Sequence, residues 1–117
     1  AVSYTKDGSL LVTGSDDGFL AVWDLHRHVP TMVHHVAQAH ASWITSVATL
    51  ADSRRFATSG GDKKIHVWQL DQMYAPVHTF QTDGDVRTIC TSNSDGQCPE
   101  RLYSGSDSGL IQVFSMD

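Results

Sequence analysis

Apolar and β-branched residues in this chain fall into short runs separated by Gly, Asp, Ser and Pro, and little of it keeps the three-to-four-residue apolar spacing of an amphipathic helix. Leu10–Thr13 is apolar and β-prone, Asp17-Gly18 is a hairpin turn signal, and Phe19–Trp23 is a second β-prone run. The same succession returns at Ala57–Leu70 (ATSGGDKKIHVWQL) and at Tyr103–Met116 (YSGSDSGLIQVFSM), so one hairpin occurs three times. Further strands are predicted at Ala1–Tyr4, Thr31–Val36, Trp43–Leu50, Val77–Gln81 and Asp85–Thr91. The turns between them are Lys6-Asp7-Gly8-Ser9, Leu25–Pro30, Asp52–Arg55 and a longer one at Ser92–Glu100.

Aligned on the aromatic that ends each hairpin, the copies lie 45 residues (Trp23 to Trp68) and 46 residues (Trp68 to Phe114) apart. A period of about 40–45 suits a four-stranded propeller blade; the common helical repeats run to about 33–34. Ten residues before each aromatic stands a hydroxyl: Thr13, Thr58, Ser104. Three before it stands an aliphatic residue (Leu20, Ile65, Ile111), and one before it a valine (Val22, Val67, Val113). Six before it stand Asp17 and Asp62, with Ser108 in the third copy.

These in-phase positions resemble the WD-repeat (WD40) β-propeller family across essentially the whole chain. Only the first copy ends in a literal Trp-Asp, Trp23-Asp24; the others read Trp68-Gln69 and Phe114-Ser115. Where the family usually shows Gly-His, the second copy has Ala39-His40. The resemblance implies an all-β fold of four-stranded antiparallel blades, a partial propeller with blade one over about 1–37, blade two over 38–81 and an incomplete blade three over 82–117. Ala1 aligns with Ser46, which puts the first blade's histidine about six residues before the chain begins. Propellers close with roughly 4–8 blades, and unstacked repeats leave apolar faces bare. The expectation is a segment of a longer polypeptide; the alternative is a small protein whose copies complete one ring.

Charge and composition narrow the class. The chain has 117 residues, 40% hydrophobic and 18% charged, and a formal net charge of −5, which fits a globular domain and argues against a nucleic-acid partner. No run approaches the roughly 18 apolar residues of a membrane span. Two cysteines, Cys90 and Cys98, make no disulfide framework and favour a reducing compartment, cytoplasmic or nuclear.

His40, Thr58, Asp62 and Trp68 invite a hydrolase triad reading. The resemblance implies instead a buried chain of hydrogen bonds from the indole N–H through the hydroxyl and the imidazole to the carboxylate, a structural network. The first copy retains Thr13, Asp17 and Trp23; the third has Thr82, Ser104, Ser108 and Phe114 and is expected to be the softest blade. The histidines suggest a metal, but His26 and His28 sit in a loop, and His34 and His35 are neighbours on a strand and point to opposite faces. No metal and no cofactor are expected. Cys90 is expected to be a buried small residue and Cys98 to sit exposed in the long turn.

What remains is recognition, since loops on rigid scaffolds commonly carry binding. The family resemblance places partner contacts near the central channel, at positions matching Trp43, Thr45, Asp85, Arg87, Asp16, Gly61 and Asp107. Trp43 has the chemistry of an interface anchor, or packs on the neighbouring blade. Asp16, Asp85 and Asp107 would favour a basic peptide. The leading expectation is a non-enzymatic protein–protein interaction scaffold whose partners are other proteins or peptides. Two alternatives are a substrate-receptor adaptor of a ubiquitin ligase and a propeller enzyme with a central-channel site. Against the first, His26 stands where that docking motif wants Arg, with Arg27 next; against the second, only Asp85 and Arg87 are titratable groups on the channel wall.

Overall fold

The computed structural model describes residues 1–51, 53–92 and 100–115. Among them are eleven strands and no helix: β1 Val2–Tyr4, β2 Leu10–Gly14, β3 Leu20–Asp24, β4 Thr31–Val36, β5 Ile44–Thr49, β6 Arg55–Gly60, β7 Lys64–Gln69, β8 His78–Gln81, β9 Val86–Thr91, β10 Arg101–Ser106 and β11 Ile111–Ser115. They form three antiparallel meanders, ordered β1-β2-β3-β4, β5-β6-β7-β8 and β9-β10-β11. Each hairpin of the repeat is a β2–β3-type pair, with Val12 opposite Val22, Ala57 opposite Val67 and Tyr103 opposite Val113. The three sheets stand as consecutive blades in a slab of 43 × 38 × 20 Å.

The hairpin turns explain the recurrence of Gly. The residue five before each aromatic takes a left-handed conformation: Gly18 (φ 83°), Lys63 (φ 66°) and Gly109 (φ 85°). Glycine does this freely, and a lysine carries a Cβ penalty of about 1 kcal/mol. At Gly18 space also forbids a side chain, because a Cβ would lie 2.5 Å from the His40 carbonyl oxygen.

Strand alternation sends one row of each sheet to the preceding blade and the other row to the following one. Val12, Leu20 and Val22 of the first blade meet Ile44, Val47, Phe56 and Trp68 of the second. Ala48, Ala57, Ile65 and Val67 of the second meet Val86, Ile89 and Leu102 of the third, with Phe80 and Phe114 at the margin. Burying these apolar rows supplies the main association energy between blades, at about 25 cal/mol per Å².

Polar contacts also cross between blades. Thr49 Oγ1 donates to the Tyr4 carbonyl at 2.7 Å, and Thr91 Oγ1, at the equivalent place one blade on, donates to the Thr49 carbonyl at 3.0 Å. Glu100 of the third blade accepts the Ala51 N–H at 2.8 Å and lies 3.9 Å from the Arg55 guanidinium.

The outward row of the third sheet is open. Ile111 is 74% exposed, and an apolar depression of about 210 Å³ lies between Ile89, Cys90, Tyr103, Gly105 and Ile111. Cys90 is therefore exposed and not buried as expected. It occupies the place that Ala48 holds in the second blade, and Ala48 is covered only because the third blade packs on it. Cys98 and all of the Ser92–Glu100 turn except its two end residues lie outside the described residues.

Candidate functional site

The second blade gathers four polar side chains between its inner strands and the loop that enters β5. Thr58 on β6 and Trp68 on β7 point to the same side, because Trp68 pairs with Phe56, two residues along β6 from Thr58. The indole Nε1–H of Trp68 donates to Thr58 Oγ1 at 2.9 Å. His40 Nε2 lies 2.7 Å from the same oxygen, and His40 Nδ1 lies 3.0 and 3.1 Å from the two Asp62 oxygens. Asp62 also accepts the N–H groups of Ala41 (3.1 Å) and Lys64 (3.2 Å). An ionised carboxylate only accepts, so the imidazole proton belongs on Nδ1, and Nε2 accepts the Thr58 hydroxyl proton.

Each group of this chain thus has a partner, which matters because an unpaired buried polar group costs about 1–3 kcal/mol. Burial alone would push the Asp62 carboxyl up; the hydrogen bond and charge of His40, with the two backbone N–H groups, outweigh it and hold Asp62 below the usual carboxylate range. Thr58 is fully buried, so the hydroxyl that a nucleophile would use faces indole and imidazole and not solvent. Gly60 is required beside it, since a Cβ there would lie 2.7 Å from His40 Nδ1.

His66 belongs to this cluster and was not among the sequence candidates. It stands on β7 two residues before Trp68, hence on the same face. Its ring centroid is 4.6 Å from that of His40 and 5.7 Å from that of Trp68, and its Nδ1 is 2.8 Å from Thr79 Oγ1. Burial, and then the charge of His40, push its pKa down to about 4. The two-residue step from the indole was the available signal.

The other blades hold less. In the first, Trp23 Nε1 donates to Thr13 Oγ1 at 3.0 Å, but both residues are only half-buried. Asp17 serves its own turn, accepting from the Ser15 hydroxyl and the Phe19 N–H, and these bonds hold its pKa down. In the third, Phe114 has no N–H to give and packs 4.6 Å from Phe80. Thr82 Oγ1 bonds the Gly84 carbonyl and Ser108 bonds Ser106.

At the loop end that carries His40, the Trp43 indole lies against Gly61 and is 43% exposed. A Cβ on Gly61 would lie 2.7–2.9 Å from Cε2, Cζ2 and Nε1 of the ring, so the glycine makes the seat. The Ser15 carbonyl accepts the Ile44 N–H at 3.0 Å, so the turn that carries the exposed Asp16 of the first blade meets the start of β5 at this loop end. Arg87 and Asp107 are exposed and 3.8 Å apart, so Asp107 is partly neutralised. Asp85 is half-buried, and its carbonyl accepts the Asp107 N–H. Thr45 is engaged elsewhere: its hydroxyl bonds the Val86 carbonyl across the blade junction at 2.7 Å and lies 2.9 Å from Ser59 Oγ.

Repeated four-stranded meanders stacked face to face, with a hydroxyl, an indole and an acidic turn at fixed offsets, define a β-propeller repeat protein. The chain belongs to the WD40 family: the family model "WD domain, G-beta repeat" matches residues 1–24, 31–69 and 74–115. It is similar to the Gastrulation defective protein 1 homolog of Drosophila melanogaster, 30% identical over 95% of this chain and 19% of that protein. It is also similar to the Ribosome biogenesis protein WDR12 homolog of Nematostella vectensis, 22% identical over 94% of this chain and 26% of that one. Among solved structures, the RRP9 WD40 repeats superpose with a TM-score of 0.86 at 19% identity over 98% of this chain and 34% of that one. The Cps50 (Swd1) β-propeller domain of Myceliophteria thermophila gives 0.84 at 16% identity over 99% and 35%. The chain thus spans about a fifth to a quarter of these two curated relatives and about a third of these solved chains. Proteins of this family generally serve as non-enzymatic interaction scaffolds, and no described helix is long and apolar enough to cross a membrane.

Proposed function

We propose that this chain is a stretch of a longer WD40 ring that holds a protein partner at the loop end carrying Trp43. The observation that carries this reading is the Trp43 indole itself, a large aromatic left nearly half in solvent on a glycine seat. Exposed aromatics beside polar groups are the usual anchors of protein interfaces. Asp16 supplies an exposed carboxylate at the same loop end, so the favoured partner is a segment presenting Lys or Arg, held by cation–π attraction and charge. The hydroxyl of Thr45 is spent between blades, which leaves Trp43, Asp16, Asp85, Arg87 and Asp107 as the contact set. A binding role inside the cell, in cytoplasm or nucleus, is supported by the kinds of relatives it resembles.

The ubiquitin-ligase adaptor reading gains no support here, since Arg27 is held by Asp24 at 3.2 Å. The test is an array of Lys- and Arg-bearing peptides probed with the full-length protein. Trp43→Ala is expected to weaken the bound peptides at least tenfold with an unchanged urea midpoint. Unchanged binding removes this face from the reading.

A further inference from the structure

We propose that the Asp83-Gly84 pair, in the loop between β8 and β9, is a site of spontaneous backbone isomerisation, at which the Gly84 nitrogen attacks the Asp83 side-chain carboxyl carbon and the chain re-forms as isoaspartate. The reaction is the chain's own and does not rest on the partner reading above.

The bond changes balance with water as the only co-reactant. The Gly84 nitrogen bonds to Asp83 Cγ, and its proton leaves with the carboxyl hydroxyl as water, closing a five-membered succinimide. Water then adds to one of the two ring carbonyl carbons. Cleavage of the new Cγ–N bond restores aspartate. Cleavage of the old peptide bond frees the α-carboxylate and carries the chain through Cγ, one methylene longer. Nothing is oxidised or reduced, and the charge is unchanged. The step needs a carboxyl free to take up a proton and a nitrogen that no other bond holds, and a glycine nitrogen has no neighbouring Cβ to block the approach.

Four Asp-Gly pairs occur in the chain, and Asp95-Gly96 lies outside the described residues. Two of the other three are locked. Asp7 Oδ1 accepts the Ser9 N–H at 3.0 Å and the Ser9 and Thr5 hydroxyls at 2.7 Å each, and the Gly8 N–H is held by the Thr5 carbonyl at 2.9 Å. Asp17 accepts the Ser15 hydroxyl and the Phe19 N–H, and the Gly18 N–H is held by the Ser15 carbonyl at 3.1 Å. Such bonds favour the ionised carboxylate, which has no hydroxyl to lose; they hold Asp7 down to about 2 and Asp17 below the usual carboxylate range.

The pair before β9 is open. Asp83 is exposed, and among the described residues neither its carboxyl nor the Gly84 N–H has a hydrogen-bond partner. The reason lies in the blade's own sequence. In the second blade Asp62 clasps the matching loop by accepting the N–H of Ala41, which stands where Asp83 stands, at 3.1 Å. The third blade has Ser108 in place of that acid, and its hydroxyl lies 2.6 Å from the Ser106 hydroxyl instead. The added methylene falls between the Thr82 hydroxyl and the Gly84 carbonyl that it bonds at 2.9 Å, and just before the Asp85 carbonyl that accepts the Asp107 N–H at 3.0 Å, so isomerisation loosens the loop from its blade.

Peptide mapping of the full-length protein, aged warm in mildly acidic buffer, tests the site. Trypsin releases residues 7–27 and 65–87 as separate peptides. Isoaspartate appears as a product of unchanged mass that an aspartate-specific protease no longer cuts and an isoaspartyl methyltransferase labels. Asp83 is expected to convert roughly tenfold faster than Asp7 or Asp17 in the folded protein. Urea is expected to release the two locked pairs and bring the three rates together. Asp83→Glu, which must close a six-membered ring, is expected to remove the product from the 65–87 peptide. Ageing is expected to speed hydrogen exchange of the Asp107 amide in the wild type and not in Asp83→Glu. No isoaspartate in the folded 65–87 peptide, equal rates at the three pairs before unfolding, a lead of Asp83 that persists in urea, product that survives Asp83→Glu, or an Asp107 amide that ages alike in both proteins overturns the proposal.

Discussion

The same substitution made in two blades separates a buried polar chain from a solvated copy of it. Thr58→Val keeps the shape of the side chain and removes one oxygen. That oxygen holds the Trp68 indole at 2.9 Å and His40 Nε2 at 2.7 Å, and both partners are 2% exposed. Two buried polar groups are then left unpaired, at about 1–3 kcal/mol each, and valine recovers a part through its easier burial. The expected loss is about 2–5 kcal/mol. Thr13→Val in the first blade removes only the 3.0 Å bond from Trp23, and both residues are reached by water, so about 0.5–1 kcal/mol is expected. Urea unfolding followed by far-UV circular dichroism gives both numbers by linear extrapolation, with Thr58→Ser as a control that keeps the oxygen. Equal costs at the two sites, or a Thr58→Val midpoint equal to wild type, would refute the reasoning.

Lys63→Gly should stabilise the protein by about 1 kcal/mol by removing a Cβ from a left-handed residue, as read from the urea midpoint. Gly61→Ala pushes against the end of the Trp43 side chain and not against backbone, so it should shift tryptophan fluorescence and peptide binding while leaving stability within about 0.5 kcal/mol. His66 has a folded pKa of about 4 against an ordinary 6.5, so the unfolded chain takes its proton first. Stability should therefore be full above about pH 6.5 and fall as pH drops toward 4, with a shallower fall in His66→Gln, both measured in chelator. Cys90 should react with a thiol reagent in this chain, with Cys98 replaced by Ser, and become protected in a longer polypeptide where another blade covers the third sheet.

The strands were legible because two local signals coincide: a period-2 apolar run and a turn whose third residue must be left-handed. Their ends were less so. Phe19 reads as strand, yet its carbonyl accepts the Ser15 N–H and closes the turn, so the ladder begins at Leu20. Burial at Cys90 was not legible, since alternation tells which face a residue takes and not whether anything covers that face. His66 escaped because its place depends on register: it pairs with Thr79 and Thr58 across strands that a single sequence does not align. The engagement of Thr45 likewise depends on a neighbouring blade some forty residues away, where the Val86 carbonyl waits.

The hydroxyl stitches from Thr91 to Thr49 and from Thr49 to Tyr4 grip carbonyl oxygens, and every amino acid owns one. A unit that attaches to its predecessor in this way asks nothing of that predecessor's side chain at the point of attachment. Such a join lets a gene duplicate, drop or shuffle its modules while each insert inherits a ready-made seam, leaving the exposed loops free to diverge.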